Sequence, residues 1–229
     1  MDSISTGPVA ELLTRLFRDA EASDGALIQE WSADASREES ISRLLDAETR
    51  DYQGLYHHFA EHYLSVSPEY GRFLYMCARA SGARSVVEFG TSFGISTIHL
   101  AAAVRDNGGG RVISTELEPT KAERARENLT AAGLADFVDI RVGDALETLR
   151  EDVGNQVDLV LLDGAFTLYR PVLDLLEPKL RAGALVFGEN TSEQAPDYLD
   201  HVRDPDNGYL ALTVPINHER GNHLAVRTR

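Results

Sequence analysis

Residues 86–97 read VVEFGTSFGIST, and the fold turns on how this stretch is understood. Val86 and Val87 suit a buried strand, yet the run meets an acid, Glu88, and then breaks into Gly90 and Gly94 among small hydroxyl side chains. An unpaired carboxylate is costly to bury, so Glu88 near the end of an interior strand implies a ligand at the turn that follows. Gly90 permits a backbone conformation closed to other residues, Gly94 lets a ligand approach the chain, and Ser96 and Thr97 offer hydroxyls at a helix start. A third glycine at the usual dinucleotide spacing is missing, so a pyrophosphate cradle is a poor match. Taken alone, such a turn serves structure as readily as binding.

Outward from this turn the chain changes character once. Upstream, PVAELLTRLFRDAEAS, EESISRLLDAETRDYQGLYHHFAEHYL and PEYGRFLYMCARAS each return apolar residues at three and four, the spacing of helices, with Pro8 and Pro68 in first turns. Downstream, SVVEF, RVISTE, FVDIRVG, VDLVLLD and ALVFGE alternate with the helical stretches TIHLAAAVRD, PTKAERARENLTAAG, ALETLREDV and RPVLDLLEPKLRAG. Apolar strands separated by helices predict a parallel, doubly wound α/β sheet covered on both faces. Beyond Pro205, GYLALTVPI and GNHLAVRTR predict a terminal antiparallel pair. The expected organisation is one domain, with residues 1–82 as a helical cap on an α/β core of residues 83–229.

Composition narrows the function. The chain has 229 residues, 43% of them apolar, a formal net charge of −15 and a single cysteine, Cys77. One cysteine excludes an internal disulfide and a Cys-rich zinc site. No apolar run approaches the roughly 20 residues that span a bilayer, and MDSISTGPVAELLTRLF lacks the pattern of a secretory signal, so a soluble, cytoplasmic protein with no membrane partner is expected. Acids outnumber bases 37 to 22, with no Lys/Arg-rich run, which argues against nucleic acid as a partner.

In a doubly wound sheet, ligands sit at the carboxyl ends of the strands where the strand order reverses. RVISTE ends on Glu116, placed to hydrogen-bond both hydroxyls of a ribose or to cap the helix that Pro119 begins. VGDA brings Asp144, which either accepts from an adenine amino group or caps ALETL. Three acids at successive strand ends, with glycine but no lysine in the loop, describe a nucleoside site without phosphate.

S-adenosylmethionine fits that description, and the chain resembles the class I S-adenosylmethionine-dependent methyltransferases, more narrowly the catechol and caffeoyl-CoA O-methyltransferase family. The likeness rests on VSPEYGRFLYM, VVEFGTSFGIST, STELEP, VGDA, LLDGAFTLYRPVLDLLEPKLRAGALVFGEN and APDYLDHVR. It implies a Rossmann-like methyltransferase fold of seven strands. It also implies that Val66 lies over the methionine part of the cofactor and that Glu88 holds its amino group directly or through water. Gly90 and Ser96 would line the methionine end, Glu116 would take the ribose, and Asp144 and Ala145 would flank the adenine, with Thr91, Ser92, Leu117, Gly143 and Asp163 also binding the cofactor.

Methyl transfer is an in-line displacement at carbon, so nucleophile, methyl and sulfur must be held collinear and the nucleophile made electron-rich. In the resembling family a divalent metal does the latter, chelating vicinal oxygens. The matching positions here are Asp163, Glu189 and Asn190, hard oxygen ligands suited to Mg2+ or Ca2+. Two departures stand out. Glu189 replaces the family's Asp, and Phe166 replaces the Lys that acts as base. Either the metal is held with altered geometry or it has been abandoned, and the sequence leans to the second. Without a metal, the proton acceptors by position are Glu189, Asp163 and Tyr169, together with His57, His58 and His62 if the N-terminal helices form a lid. For each histidine the surface or packing role is the better expectation.

Phe166 suits an aromatic substrate or simple packing. Trp31 is expected as an anchor for the N-terminal segment, Cys77 as packing, and His218 and Glu219 as a hairpin turn near the mouth of the site. The reading is a methyltransferase acting on a small molecule at an aromatic hydroxyl, homodimeric through its N-terminal helices. The alternatives are a metal-independent C- or N-methyltransferase of secondary metabolism, or a cofactor-binding subunit that has lost catalysis.

Overall fold

The quoted stretch forms the centre of the sheet. In the computed structural model, which describes residues 2–33, 37–216 and 221–229, the strands are Ser85–Phe89 (β1), Arg111–Glu116 (β2), Val138–Val142 (β3), Val157–Leu162 (β4), Leu180–Gly188 (β5), Tyr209–Thr213 (β6) and His223–Arg227 (β7). Their order is β3-β2-β1-β4-β5-β7-β6. β1 to β5 run parallel, and β7 lies antiparallel to both β5 and β6. The expected doubly wound sheet of seven strands with a terminal antiparallel pair is therefore present. The order reverses between β1 and β4, which puts the switch point beside Gly90.

Helices cover both faces. They are Pro8–Ala33 (α1), Arg37–His58 (α2), Pro68–Ala80 (α3), Ile95–Asp106 (α4), Pro119–Ala131 (α5), Ala145–Thr148 (α6), Tyr169–Leu176 (α7), Thr191–Gln194 (α8) and Pro196–Arg203 (α9). Side chains alternate across a strand, so Val86, Leu159 and Leu161 face a core shared with α1, α3, α4 and α5, whereas Val87, Val160 and Leu162 face one shared with α7 and α9. Every residue of α4 from Ile95 to Val104 is buried, the mark of a core helix rather than an amphipathic one. Much of the N-terminal region is thus core: Leu12, Leu16, Tyr70 and Leu74 of α1 and α3 pack in the same layer as α4. Only α2 reaches the other side, where Tyr52 and Tyr56 pack against the second core.

Some boundaries differ from the sequence reading. α2 bends at Asp51, whose backbone is extended (φ −162°, ψ 77°) and whose Oδ1 accepts from the Gly54 amide at 2.9 Å, so a fresh helical start follows the bend. The helix then ends at His58 instead of running to Leu64, and residues 59–67 form an irregular strap with Leu64 in the left-handed region (φ 47°). RPVLDLLEPKLRAG stops being helical at Leu176, passes through a short turn containing Pro178, and enters β5 at Leu180. Among the described residues no helix is long and apolar enough to cross a membrane. His218 and Glu219 lie outside the described residues.

Candidate cofactor and acceptor site

A cavity opens at the switch point between the carboxyl ends of the strands and the chain segment of residues 52–66, about 850 Å³ with the open solvent at its mouth included. Of the cofactor residues expected from sequence, Val66, Gly90, Thr91, Ser92, Ser96, Glu116, Leu117, Gly143, Asp144, Ala145 and Asp163 all line it. Glu88 does not, and it stands one layer behind.

Gly90 is required by close approach. Its φ is 103°, and a Cβ there would collide with the carbonyl of Asp163, because the β1 turn and the end of β4 are tied by a bond from the Asp163 amide to Phe89 O at 2.8 Å. Gly94 differs from expectation. It has φ 87°, but the space a Cβ would fill faces Ala125 of α5 and not the cavity, so this glycine seats one helix against another. Ser92, another left-handed residue (φ 46°), donates its hydroxyl to Tyr63 O at 2.6 Å and so fastens the strap to the glycine turn.

Glu88 is wholly buried. Its Oε2 accepts from the hydroxyls of Thr97 and Ser114, each at 2.5 Å, while Oε1 has no hydrogen-bond partner. Burial pushes its carboxyl above the ordinary range, and the hydroxyls of Ser114, Thr97 and Ser96 pull the other way. Ser96 lines the cavity and Thr97 does not, so of the hydroxyls that act on Glu88 the one from Ser96 also faces the cavity.

Glu116 accepts from the Ser92 amide at 2.6 Å and from the Glu118 amide at 2.9 Å, which pins its carboxylate at the cavity wall. Burial raises its pKa, and Lys121 is the nearby cation that opposes this. Glu118 is the N-cap position of α5 and makes no side-chain cap bond, so Glu116 serves the helix start while still facing the cavity. Asp144 likewise does both. Its Oδ1 caps α6 by accepting from the Leu146 amide at 2.9 Å, and its Oδ2 accepts from Tyr52 Oη at 2.6 Å and from Gln53 Nε2 at 3.3 Å.

At the ends of β4 and β5, Leu162 pairs with Gly188, so Asp163 and Glu189 leave adjoining strands. Both acids raise the phenols of Tyr70 and Tyr169, after burial, which is the larger cause. Asn190 is left-handed (φ 53°), and its Oδ1 is buried without a hydrogen-bond partner among the described residues. Carboxylate and amide oxygens are the hard donors that suit a divalent cation, although of the three residues only Asp163 lines the cavity. Among the described residues, no three His, Cys, Asp or Glu side chains are grouped as metal ligands, so such a cation would depend on the Asn190 amide.

Other expected residues are placed elsewhere. Tyr169 is fully buried, its hydroxyl donates to Glu189 O at 3.0 Å, and it does not line the cavity; its burial as a phenol leaves it no opening to act as proton acceptor. Phe166 packs beside Tyr169, with ring centroids 5.6 Å apart, and also stands off the cavity wall. His57 is 77% exposed in its side chain and pairs with Glu118 at 3.0 Å, His58 is exposed, and His62 lies 3.4 Å from Asp24. None of the three histidines lines the cavity.

Several cavity residues went unread in the sequence: Tyr52, Tyr56, Tyr63, Phe93 and Lys121. Tyr63 and Phe93 stack, with centroids 4.2 Å apart, and the Lys121 ammonium lies 5.6 Å from the Phe93 ring, its pKa lowered by burial. Glu48, Tyr52 and Tyr56 recur at four-residue spacing, but that spacing gives a stripe only on an unbroken helix, and the helix bends at Asp51 between them.

The comparisons with known proteins agree with this geometry. A family model described as a methyltransferase domain matches residues 87–191. Over 100 residues the chain is 46% identical to a protein named catechol O-methyltransferase from Mycobacterium tuberculosis, covering 44% of each chain. Over 130 residues it is 34% identical to a protein of the same name from Niastella koreensis, covering 56% of this chain and 58% of that one. The matched segments thus span about half the length of these curated relatives. Among solved structures, the cofactor-bound Rv0187 from MTB superposes with a TM-score of 0.67 at 28% identity, over 90% of this chain and 96% of that one. An O-methyltransferase from Bacillus cereus in complex with SAH shares the fold, with a TM-score of 0.65 at 20% identity, over 89% and 96% of the two chains. The strand order and the switch-point cavity accord with these matches: residues 87–191 match a methyltransferase domain, and the chain shares the fold of the solved O-methyltransferase.

Proposed function

We propose that this protein transfers a methyl group from S-adenosylmethionine to a hydroxyl of a small aromatic acceptor. The observation that carries the reading is the ring of acidic and small residues around one cavity, with Glu116 and Asp144 at successive strand ends and the buried Glu88 behind Ser96. The names of the relatives in Mycobacterium tuberculosis and Niastella koreensis support a catechol-like acceptor.

The chain's own residues would then divide the work. Glu116 accepts from the ribose hydroxyls with lone pairs left over from its two amide bonds, since a carboxylate has about four acceptor sites. Glu88 stabilises the cationic amino acid end electrostatically, from behind the Ser96 hydroxyl. Val66, Tyr63 and the strap exclude water, which strengthens both interactions. Asp163, Glu189 and Asn190 would hold a divalent cation, which supplies Lewis-acid activation of vicinal oxygens when bound. The Asn190 Oδ1, partnerless among the described residues, supports retention of the cation despite the longer Glu189 side chain.

On this reading the protein is one cytoplasmic methyltransferase domain working as a homodimer on a small molecule, with neither membrane nor nucleic acid as partner; the net charge of −15 supports the last point. The test is methylation of a panel of catechols and single phenols by purified protein with S-adenosylmethionine, in EDTA and in Mg2+, read by mass spectrometry. Methylated catechol supports the proposal. Retained cofactor binding with no product across the panel would replace it with a cofactor-binding subunit that has lost catalysis.

A further inference from the structure

The family position for a catalytic Lys is Phe166 here, and Phe166 lies off the cavity wall, so the proton of the acceptor hydroxyl needs another destination. A buried acid that the expected roles leave unused stands nearby. Glu48 of α2 is 1% exposed, its Oε2 accepts from the Thr167 amide at 2.9 Å, and its Oε1 accepts from the Tyr56 hydroxyl at 2.8 Å. Tyr56 lines the cavity and lies within electrostatic reach of Asp163.

This pairing depends on the bend. Eight residues along a straight helix advance about 12 Å, which would carry Tyr56 away from Glu48. The break at Asp51 folds the second piece of α2 back so that the phenol meets the carboxylate. A buried carboxylate is costly unless it is bonded, and one of the two bonds that hold Glu48 comes from a cavity residue, Tyr56.

We propose that Tyr56 and Glu48 form the proton relay of methyl transfer. The acceptor O–H proton passes to Tyr56 Oη while the phenolic proton passes to Glu48 Oε1. The freed electron pair of the acceptor oxygen forms the new C–O bond, and the S–CH3 bond breaks with its pair remaining on sulfur. A cationic sulfonium and an anionic carboxylate become a neutral thioether and a neutral acid, so charge and atoms balance. Glu48 returns its proton to solvent after product leaves. Tyr56 never stands as a free phenolate, which burial and the charges of Glu48 and Asp163 disfavour. The other titratable groups around the pair are Tyr169, Asp163 and Glu189.

The inference rests on the O-methylation reading, and the test separates the two. Wild type, Glu48→Gln and Tyr56→Phe are compared for thermal melting, S-adenosylhomocysteine affinity by calorimetry, and kcat/KM against pH on a catechol that the wild type methylates. Both variants are expected to melt cooperatively and bind S-adenosylhomocysteine as wild type does, and to lose about 100-fold in kcat/KM, the scale of general base catalysis. Wild-type kcat/KM is expected to reach a plateau with rising pH. The variants, left with pre-ionised acceptor, keep climbing towards the pKa of the acceptor hydroxyl. A Tyr56→Phe enzyme within tenfold of wild type, or with the wild-type pH profile, overturns the relay, and does so even if Glu48→Gln fails to fold. A wild type that binds S-adenosylhomocysteine yet methylates no phenol overturns the functional reading instead.

Discussion

The carboxylate of Glu116, at the end of β2, accepts from the backbone amide of Ser92 at 2.6 Å, and this bond joins the glycine turn to the neighbouring strand end. The same carboxylate faces the cavity, so one acid both shapes the turn and addresses a ligand. Hydrogen bonds to a charged group contribute about 1.5–3 kcal/mol each. Glu116→Ala should therefore weaken S-adenosylhomocysteine by at least about tenfold, measured by calorimetry. Unchanged affinity would remove the ribose assignment.

Glu88 predicts a different pattern. Gln at this position keeps an acceptor for the Thr97 and Ser114 hydroxyls but lacks the negative charge. Glu88→Gln should melt within about 1–2 kcal/mol of wild type while cofactor affinity falls several-fold. A collapsed fold would show that the charge holds the β1 end together rather than serving the ligand.

Gly90 tests the architecture of the turn. A methyl at this position meets the Asp163 carbonyl, and φ 103° is closed to alanine. Gly90→Ala should cost about 1–3 kcal/mol from backbone strain alone. Cofactor binding should be lost as the β1 turn and the β4 end separate. Wild-type stability by chemical denaturation would contradict the close approach.

His99 gives a pH dependence. It is buried in α4 against Gly71, its Nδ1 lies 2.8 Å from Ile95 O, and burial depresses its pKa from 6.5 to about 4. A folded-state value below the unfolded one contributes stability that is complete above the unfolded pKa and is lost as pH falls through the folded one. Stability should decline between about pH 6.5 and 4, with His99 contributing up to about 3 kcal/mol of that fall. His223, depressed to about 4 by the same cause, adds to it. Urea denaturation of His99→Phe across this range should show a shallower acid slope; an unchanged slope would mean that His99 is already charged in the folded protein.

The sheet was legible because parallel strands buried on both faces are written as unbroken apolar runs, as in VDLVLLD, and because glycine and acid mark strand ends. The cavity wall was legible for the same reason, since many of its residues sit at fixed offsets after β1, β2 and β3. Tyr52, Tyr56 and Glu48 were not. Their placement depends on the bend at Asp51, whose signal is a side chain capping a helix inside what reads as one continuous amphipathic run. The histidines of YHHFAEHY were plausible by chemistry but stand outside the cavity: His57 pairs with Glu118, His62 lies beside Asp24 and His58 is exposed. Gly94 was credited to the ligand when its neighbour is Ala125, a helix contact that no local pattern encodes.

The central claim, that the cavity beside Gly90 is a nucleoside site for S-adenosylmethionine, is tested most directly by calorimetric titration of the purified protein with S-adenosylhomocysteine, once in EDTA and once in excess Mg2+. The account predicts stoichiometric binding in both conditions, because the turn after β1, Glu116 at the end of β2 and Asp144 after β3 hold the cofactor without a cation. Absence of binding in either condition would contradict it.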